Sequence, residues 1–182
     1  MLQQRTSGPI LVRHNVLQGE YEVSRDPDLV LTTVLGSCIA CCLHDPVAGI
    51  GGMNHFLLAS PRNAINPLDE DARRYGLYAM ELLVNDMIKK GAARASMRAH
   101  LYGGANLHAG MRAIGTENAR FAEEFLRHDR IALVRSDMGG DQARRLDFQP
   151  STGLVRCRSV GKHFPASQAA PIPPVVGDIE LF

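Results

Sequence analysis

Apolar residues along this chain fall in short blocks separated by turn signals. Leu29 to Leu35 is a β-branched run that predicts a strand. Two further apolar runs, Cys38 to His44 and Ile50 to Leu58, flank Asp45-Pro46-Val47-Ala48-Gly49. Proline fixes φ in that turn and glycine permits positive φ, so the pair reads as a hairpin centred near Val47. In that register Cys38 lies opposite His55 or one residue away. Glu20 to Val23 alternates polar and apolar, and Ile10-Leu11-Val12 reads as a short edge strand. Further strands are predicted at Ala95 to Leu101, Ile131 to Val134, around Leu146 and Phe148, and at Leu154 to Arg158.

Two segments carry helical spacing instead. Ser60 to Pro67 reads as a loop, after which Asn66, Pro67, Asp69, Glu70 and Asp71 favour a helix start. Tyr75, Tyr78, Ala79, Leu82, Leu83 and Met87 form its apolar face, and Lys89-Lys90-Gly91 closes it. A second helix is predicted from about Thr116, as N-cap, to Asp129, with Ala122, Phe125 and Leu126 inward. Strands outnumber helices and neither segregates, which predicts an α/β domain with a mixed, largely antiparallel sheet and two main helices. Residues 1–18 are polar and irregular, 19–164 read as the domain, and 165–182 as a Pro-rich tail that is extended until bound.

Composition narrows the function classes. The 182 residues are 45% apolar and 21% charged, enough for one domain with a sizeable core. A net charge of +1 marks neither a general nucleic-acid binder nor a membrane-surface protein. No run approaches a membrane span, and Met1 to Arg5 does not lead into a signal-peptide core. Three of the four cysteines crowd into one apolar run, with Cys157 alone, which is no disulfide framework. A reducing cytoplasm is the expected setting.

The chemistry worth weighing lies in the hairpin. A thiol attacks as thiolate, and a neighbouring imidazole is a common partner for its proton. Cys38 and His55 fit that pairing. Thr32, six residues before the cysteine, has a hydroxyl suited to orienting the ring. Gly36, Ser37 and Asn54 are candidates for substrate binding or an oxyanion site. The plainer alternative is that Cys38 is a small buried hydrophobe. Cys38, Cys41, Cys42 and His44 superficially suggest zinc, but on a strand 41 faces away from 38, 42 and 44, and a second ligand pair is lacking, so no metal and no cofactor are expected. Gly103-Gly104 and Gly139-Gly140 lack a following Gly-Lys-Ser/Thr and read as turns near the site. Arg144-Arg145 suits either an acidic partner or a solvated edge. The remaining histidines read as surface or core residues.

The pattern Thr32, Leu35-Gly36-Ser37-Cys38 and Gly51-Gly52-Met53-Asn54-His55-Phe56 resembles the CheD family of chemoreceptor glutamine deamidases. The resemblance continues through Tyr102 to Asn106, Ile114 to Asn118 and Asp137 to Gly140, covering roughly Gly19 to Arg158. It implies a three-layer α-β-β sandwich related to the deamidating domain of cytotoxic necrotizing factor. It implies Cys38, His55 and Thr32 as the catalytic set, and the cytoplasmic region of methyl-accepting chemoreceptors as substrate. Glutamate methyl ester hydrolysis is compatible with the same chemistry. A receptor-binding or CheC-type phosphatase-binding module is the alternative role.

Overall fold

A computed structural model describes residues 11–58, 70–107 and 114–160. Nine strands and two helices are present among them: β1 (Val12–Asn15), β2 (Tyr21–Ser24), β3 (Leu29–Leu35), β4 (Ile39–Asp45), β5 (Ile50–Phe56), α1 (Glu70–Lys89), β6 (Arg98–Gly103), α2 (Ile114–His128), β7 (Ala132–Met138), β8 (Ala143–Gln149) and β9 (Leu154–Val160). Of the segment 1–18 predicted as irregular, residues 1–10 lie outside the described residues, as do the 60–67 loop with the Asn66 cap and the 165–182 tail, while Val12–Asn15 form β1, paired to β3, and Val16 enters the core.

The strands form two sheets. One has the order β1-β3-β8-β9, the other β2-β5-β4-β6-β7. Only β1–β3 and β6–β7 pair parallel; the other pairings are antiparallel. One core lies between the helices and the five-stranded sheet, with Ile39, Cys41, Leu43, Met80, Leu83, Met87 and Phe125 among its residues. The other lies between the sheets and contains Val16, Leu31, Leu35, Ala40, Cys42, Tyr102 and Phe148. The architecture is therefore the three-layer α-β-β sandwich. The five-stranded sheet is its middle layer, and β4 and β5 are buried on both faces. Middle-layer strands covered on both sides read as continuous apolar runs, which is why the hairpin stood out.

Burial corrects the face assigned to α1. Among its residues from 75 onward, Gly76, Met80, Leu83, Val84 and Met87 are buried, while Tyr75 and Tyr78 are exposed. The stripe passes through Gly76 because that face must meet Leu58 and Phe121 closely. The cap of α2 also differs. The helix begins at Ile114, and the Asn106 carboxamide from the preceding loop accepts from Gly115 N–H at 3.2 Å and donates to Thr116 Oγ1 at 3.0 Å. Thr116 thus lies inside the first turn.

The hairpin register differs from that predicted. Asp45 pairs with Ile50 and Ala40 with His55. The loop has four residues because Asp45 organises it. Its Oδ1 accepts from Val47 N–H at 2.9 Å and Ala48 N–H at 3.2 Å, and its carbonyl accepts from Gly49 N–H at 2.9 Å. Oδ2 reaches Ala93 N–H at 2.8 Å and Ser96 Oγ at 2.6 Å, tying the hairpin tip to the α1–β6 connection. Burial opposes the ionised carboxylate, but these hydrogen bonds outweigh it and hold the pKa at about 2.

Candidate active site

His55 projects from β5 toward the four-stranded sheet and is 7% exposed. Directly opposite it on β4 stands Ala40, so Cys38, two residues earlier, occupies the diagonal position on the same face. Shifting a register by two residues preserves the face; shifting by one reverses it. Cys38 itself lies in the bend before β4 and is half-buried. No hydrogen bond joins the two side chains. His55 Nε2 is buried without a partner among the described residues, and Cys38 Sγ–H is directed to Gln18 Oε1 at 3.5 Å.

The other ring nitrogen is engaged. His55 Nδ1 is 2.9 Å from Thr33 Oγ1 and 3.3 Å from the Val16 carbonyl. The Thr33 hydroxyl donates to that same carbonyl at 2.8 Å. A hydroxyl that has given its proton to a carbonyl can only accept from the ring, and a carbonyl can only accept. Nδ1 therefore carries the proton and Nε2 a free lone pair. Burial lowers the pKa of His55, against smaller opposing contributions from the Val16 carbonyl and Glu20. Burial likewise pushes the Cys38 thiol up to about 11, although its own backbone N–H favours the thiolate. The resting pair is neutral thiol and neutral imidazole.

Thr32, expected from spacing to orient the ring, is not the threonine that meets His55. It pairs with Asp147 on β8, on the outer face of the sheet, where its hydroxyl helps hold that carboxylate below its ordinary pKa. Strand alternation explains the correction: Leu31, Thr33 and Leu35 face inward, so only Thr33 can reach His55. Asn54 is corrected by the same rule. It faces the helices, where Oδ1 accepts from Cys41 N–H at 3.0 Å and Nδ2 donates to the Ala79 carbonyl at 3.1 Å. It fastens the hairpin to α1 and has no side-chain atom on the Cys38 side.

Gly36 and Ser37 do lie beside the sulfur, in a bend clamped from one side. Ala105 N–H donates to the Gly36 carbonyl at 2.8 Å and Gly104 N–H to the Cys38 carbonyl at 2.9 Å. Asn118 Nδ2 donates to the Ser37 carbonyl at 2.7 Å, while its Oδ1 accepts from Leu58 N–H at 2.9 Å. In a trans peptide the C=O of one residue opposes the N–H of the next. With the carbonyls of Gly36 and Ser37 turned to the loop and α2, the N–H groups of Ser37 and Cys38 face the other way. Gly103, at φ +108°, makes the clamp possible: a Cβ there would stand 2.1 Å from the Cys38 carbonyl oxygen. Gly139 N–H in turn donates to the Gly103 carbonyl at 2.9 Å, so both glycine pairs pack around the Cys38 bend.

Sequence reasoning missed Thr33, Gln18, the Val16 carbonyl and Asn118. Asn118 had a signal, since it closes the Ile114 to Asn118 motif. Gln18 and Val16 had none, because they come from the β1–β2 turn. Cys41 faces the helix-side core and Cys42 the inter-sheet core, so the cysteines of β4 do not converge with Cys38 on one point. Arg144 folds onto Asp137 at 2.9 Å and donates to the carbonyls of Gly139 and Gln142, bracing that turn.

Fold and site together define an α-β-β protein with a cysteine and a hydroxyl-oriented histidine on one face of its middle sheet. The chain belongs to the CheD family: residues 57–159 match the family model described as CheD chemotactic sensory transduction. It is 50% identical over 170 residues to a probable chemoreceptor glutamine deamidase CheD of Zymomonas mobilis subsp. mobilis, covering 93% of this chain and 92% of that one. It is 51% identical over 182 residues to a protein of the same name from Caulobacter sp. strain K31, covering 97% and 95%. A match over 93% of the chain leaves too few residues outside it to omit the stretch from Thr32 to His55. Among solved structures, the Neisseria meningitidis protein NMB0706, of family DUF152, is similar at a TM-score of 0.46 and 10% identity, over 72% of this chain and 65% of that one. That likeness is too slight to carry an argument.

Proposed function

We propose that this chain is a protein-glutamine deamidase that converts glutamine side chains of methyl-accepting chemoreceptors to glutamate. The observation that carries the chemistry is the unpartnered, buried Nε2 of His55, whose lone pair faces the side of the sheet that holds Cys38. Nε2 takes the thiol proton as Sγ attacks the side-chain carbonyl carbon. The oxyanion is received by the N–H groups of Cys38 and Ser37, which are aimed before substrate arrives. Nε2–H then protonates the departing ammonia. Water, deprotonated by the same nitrogen, hydrolyses the thioester and leaves glutamate and a restored thiol. Thr33 and the Val16 carbonyl keep the ring in the required tautomer throughout.

The substrate class comes from the relatives, which are named as chemoreceptor glutamine deamidases. Each conversion adds a negative charge to the receptor and creates a methylatable glutamate, so local electrostatics can shift signalling bias. A glutamate methyl ester fits the same steps, with methanol leaving in place of ammonia. The reaction belongs in the cytoplasm, where the receptor region lies, and no described helix is long and apolar enough to cross a membrane. A CheC-type phosphatase is the partner of the alternative, regulatory role. Ammonia release on mixing the protein with a receptor cytoplasmic fragment tests the reading. Binding without ammonia would favour the regulatory module.

A further inference from the structure

The turn that seats His55 also brings a carboxamide onto the nucleophile. Residues 16–20 are pinned to β5: Gly19 N–H donates to the His55 carbonyl at 2.7 Å, and His55 N–H donates to the Glu20 carbonyl at 3.0 Å. Within the turn, Glu20 N–H donates to the Leu17 carbonyl at 3.0 Å and Leu17 N–H to Glu20 Oε2 at 2.9 Å. Val16 is buried in the inter-sheet core. Gly19 has φ +92°, and a Cβ there would stand 2.9 Å from the Tyr75 hydroxyl. The backbone beneath Gln18 is therefore fixed on both sides. Its side chain, on the exposed corner, turns back to Cys38 and accepts the thiol proton at Oε1.

We propose that Gln18 is a built-in occupant of the carboxamide position at Cys38: its Oε1 holds the thiol proton that His55 Nε2 would otherwise take, and a substrate glutamine enters by displacing it. The occupant and the substrate present the same functional group, so the competition is of like with like. An intramolecular group competes at an effective concentration in the millimolar range. Its hold is weak, because a thiol is a poor donor, and an exposed side chain can swing out without disturbing the turn. Gln18 is held rather than consumed. It offers the thiol its oxygen, whereas attack requires that oxygen to face the Ser37 and Cys38 N–H groups. The contact accounts for a histidine whose lone pair stays free on the same face as a protonated thiol. The word substrate rests on the deamidase reading; the contact between Gln18 and Cys38 does not.

Alkylation of Cys38 by iodoacetamide at neutral pH, followed by peptide mass spectrometry, tests this without any receptor. Gln18→Leu keeps bulk but removes the acceptor, and Gln18→Ala removes both. Both variants are expected to alkylate Cys38 severalfold faster than wild type, with buried Cys41 and Cys42 unlabelled as internal controls. On a receptor fragment, Gln18→Ala is expected to lower KM with kcat little changed. A Gln18→Leu rate equal to wild type, whether or not Gln18→Ala is faster, would overturn the proposal and leave at most a steric cover. Conversion of Gln18 to glutamate in wild type but not in Cys38→Ala would also overturn it, by making Gln18 a substrate. Failure of the receptor reaction with the alkylation result intact would count against the deamidase reading alone.

Discussion

Burial keeps His55 neutral while one hydroxyl and one carbonyl fix its tautomer, and the consequences can be separated by single substitutions. Thr33→Ala leaves Nδ1–H only the Val16 carbonyl at 3.3 Å. It should lower kcat roughly 10- to 100-fold, the range seen when positioning partners of histidine ligands are removed at metal sites. Thr32→Ala should leave kcat within about twofold, because its hydroxyl lies beside Asp147 on the face of β3 turned away from His55. Steady-state kinetics on a receptor fragment checks both; the opposite ranking would contradict the assigned hydrogen bonds. The pH profile follows from the same pair. Burial places the His55 pKa below its ordinary 6.5 and the Cys38 thiol at about 11. The imidazole must be neutral to accept a proton, so kcat/KM should fall on an acidic limb below pH 6.5 and stay level through neutrality into the alkaline range. A bell centred near neutrality would instead indicate a resting thiolate–imidazolium pair.

At the scale of elements, Cys38 is positioned by the clamp from α2 and the β6–α2 loop rather than by the hairpin alone. Asn118→Ala removes the partners of both the Ser37 carbonyl and Leu58 N–H. An unsatisfied buried group costs about 1–3 kcal/mol, so the variant should be destabilised by about that amount in urea unfolding, and its kcat should fall more than its KM changes. Gly103→Ala should be more damaging to activity, since the Cβ cannot coexist with the Cys38 carbonyl at its present place. These elements also show what the sequence could and could not disclose. The strands and both helices were readable from periodicity, with ends shifted by a few residues. The hairpin register was not, because it depends on the Asp45 side chain enforcing a four-residue loop. The choice between Thr32 and Thr33 was not either. Adjacent threonines have identical chemistry, and only the packing of one sheet on the other decides which faces the ring.

The whole molecule places this site where its two sheets meet, so the stability of that interface and the chemistry share titrating groups. His44, His55 and His100 all have pKa values lowered first by burial. A group whose pKa is depressed on folding contributes stability that is complete above its unfolded value, here 6.5, and lost as pH falls below it. The urea midpoint should therefore decline between pH 7 and pH 5. It should drop again below about pH 4 as Asp45 and Asp147, depressed from 3.8, begin to protonate. A flat midpoint from pH 7 to pH 5 would show that these histidines are not buried neutral. The family supplies the substrate class, and the fold supplies a sulfur on the same face as a prepared base. Those two statements meet in one experiment.

That experiment is peptide mass spectrometry of a chemoreceptor cytoplasmic fragment after incubation with wild-type protein, Cys38→Ala, Cys41→Ala and Cys42→Ala. Sulfur at position 38 is the only atom of the chain assigned a covalent bond to substrate, and Cys41 and Cys42 are packed into the two cores. Wild type should convert glutamine to glutamate, Cys38→Ala should convert none, and the other two should retain the activity apart from any loss of packing. Full conversion by Cys38→Ala would contradict the account.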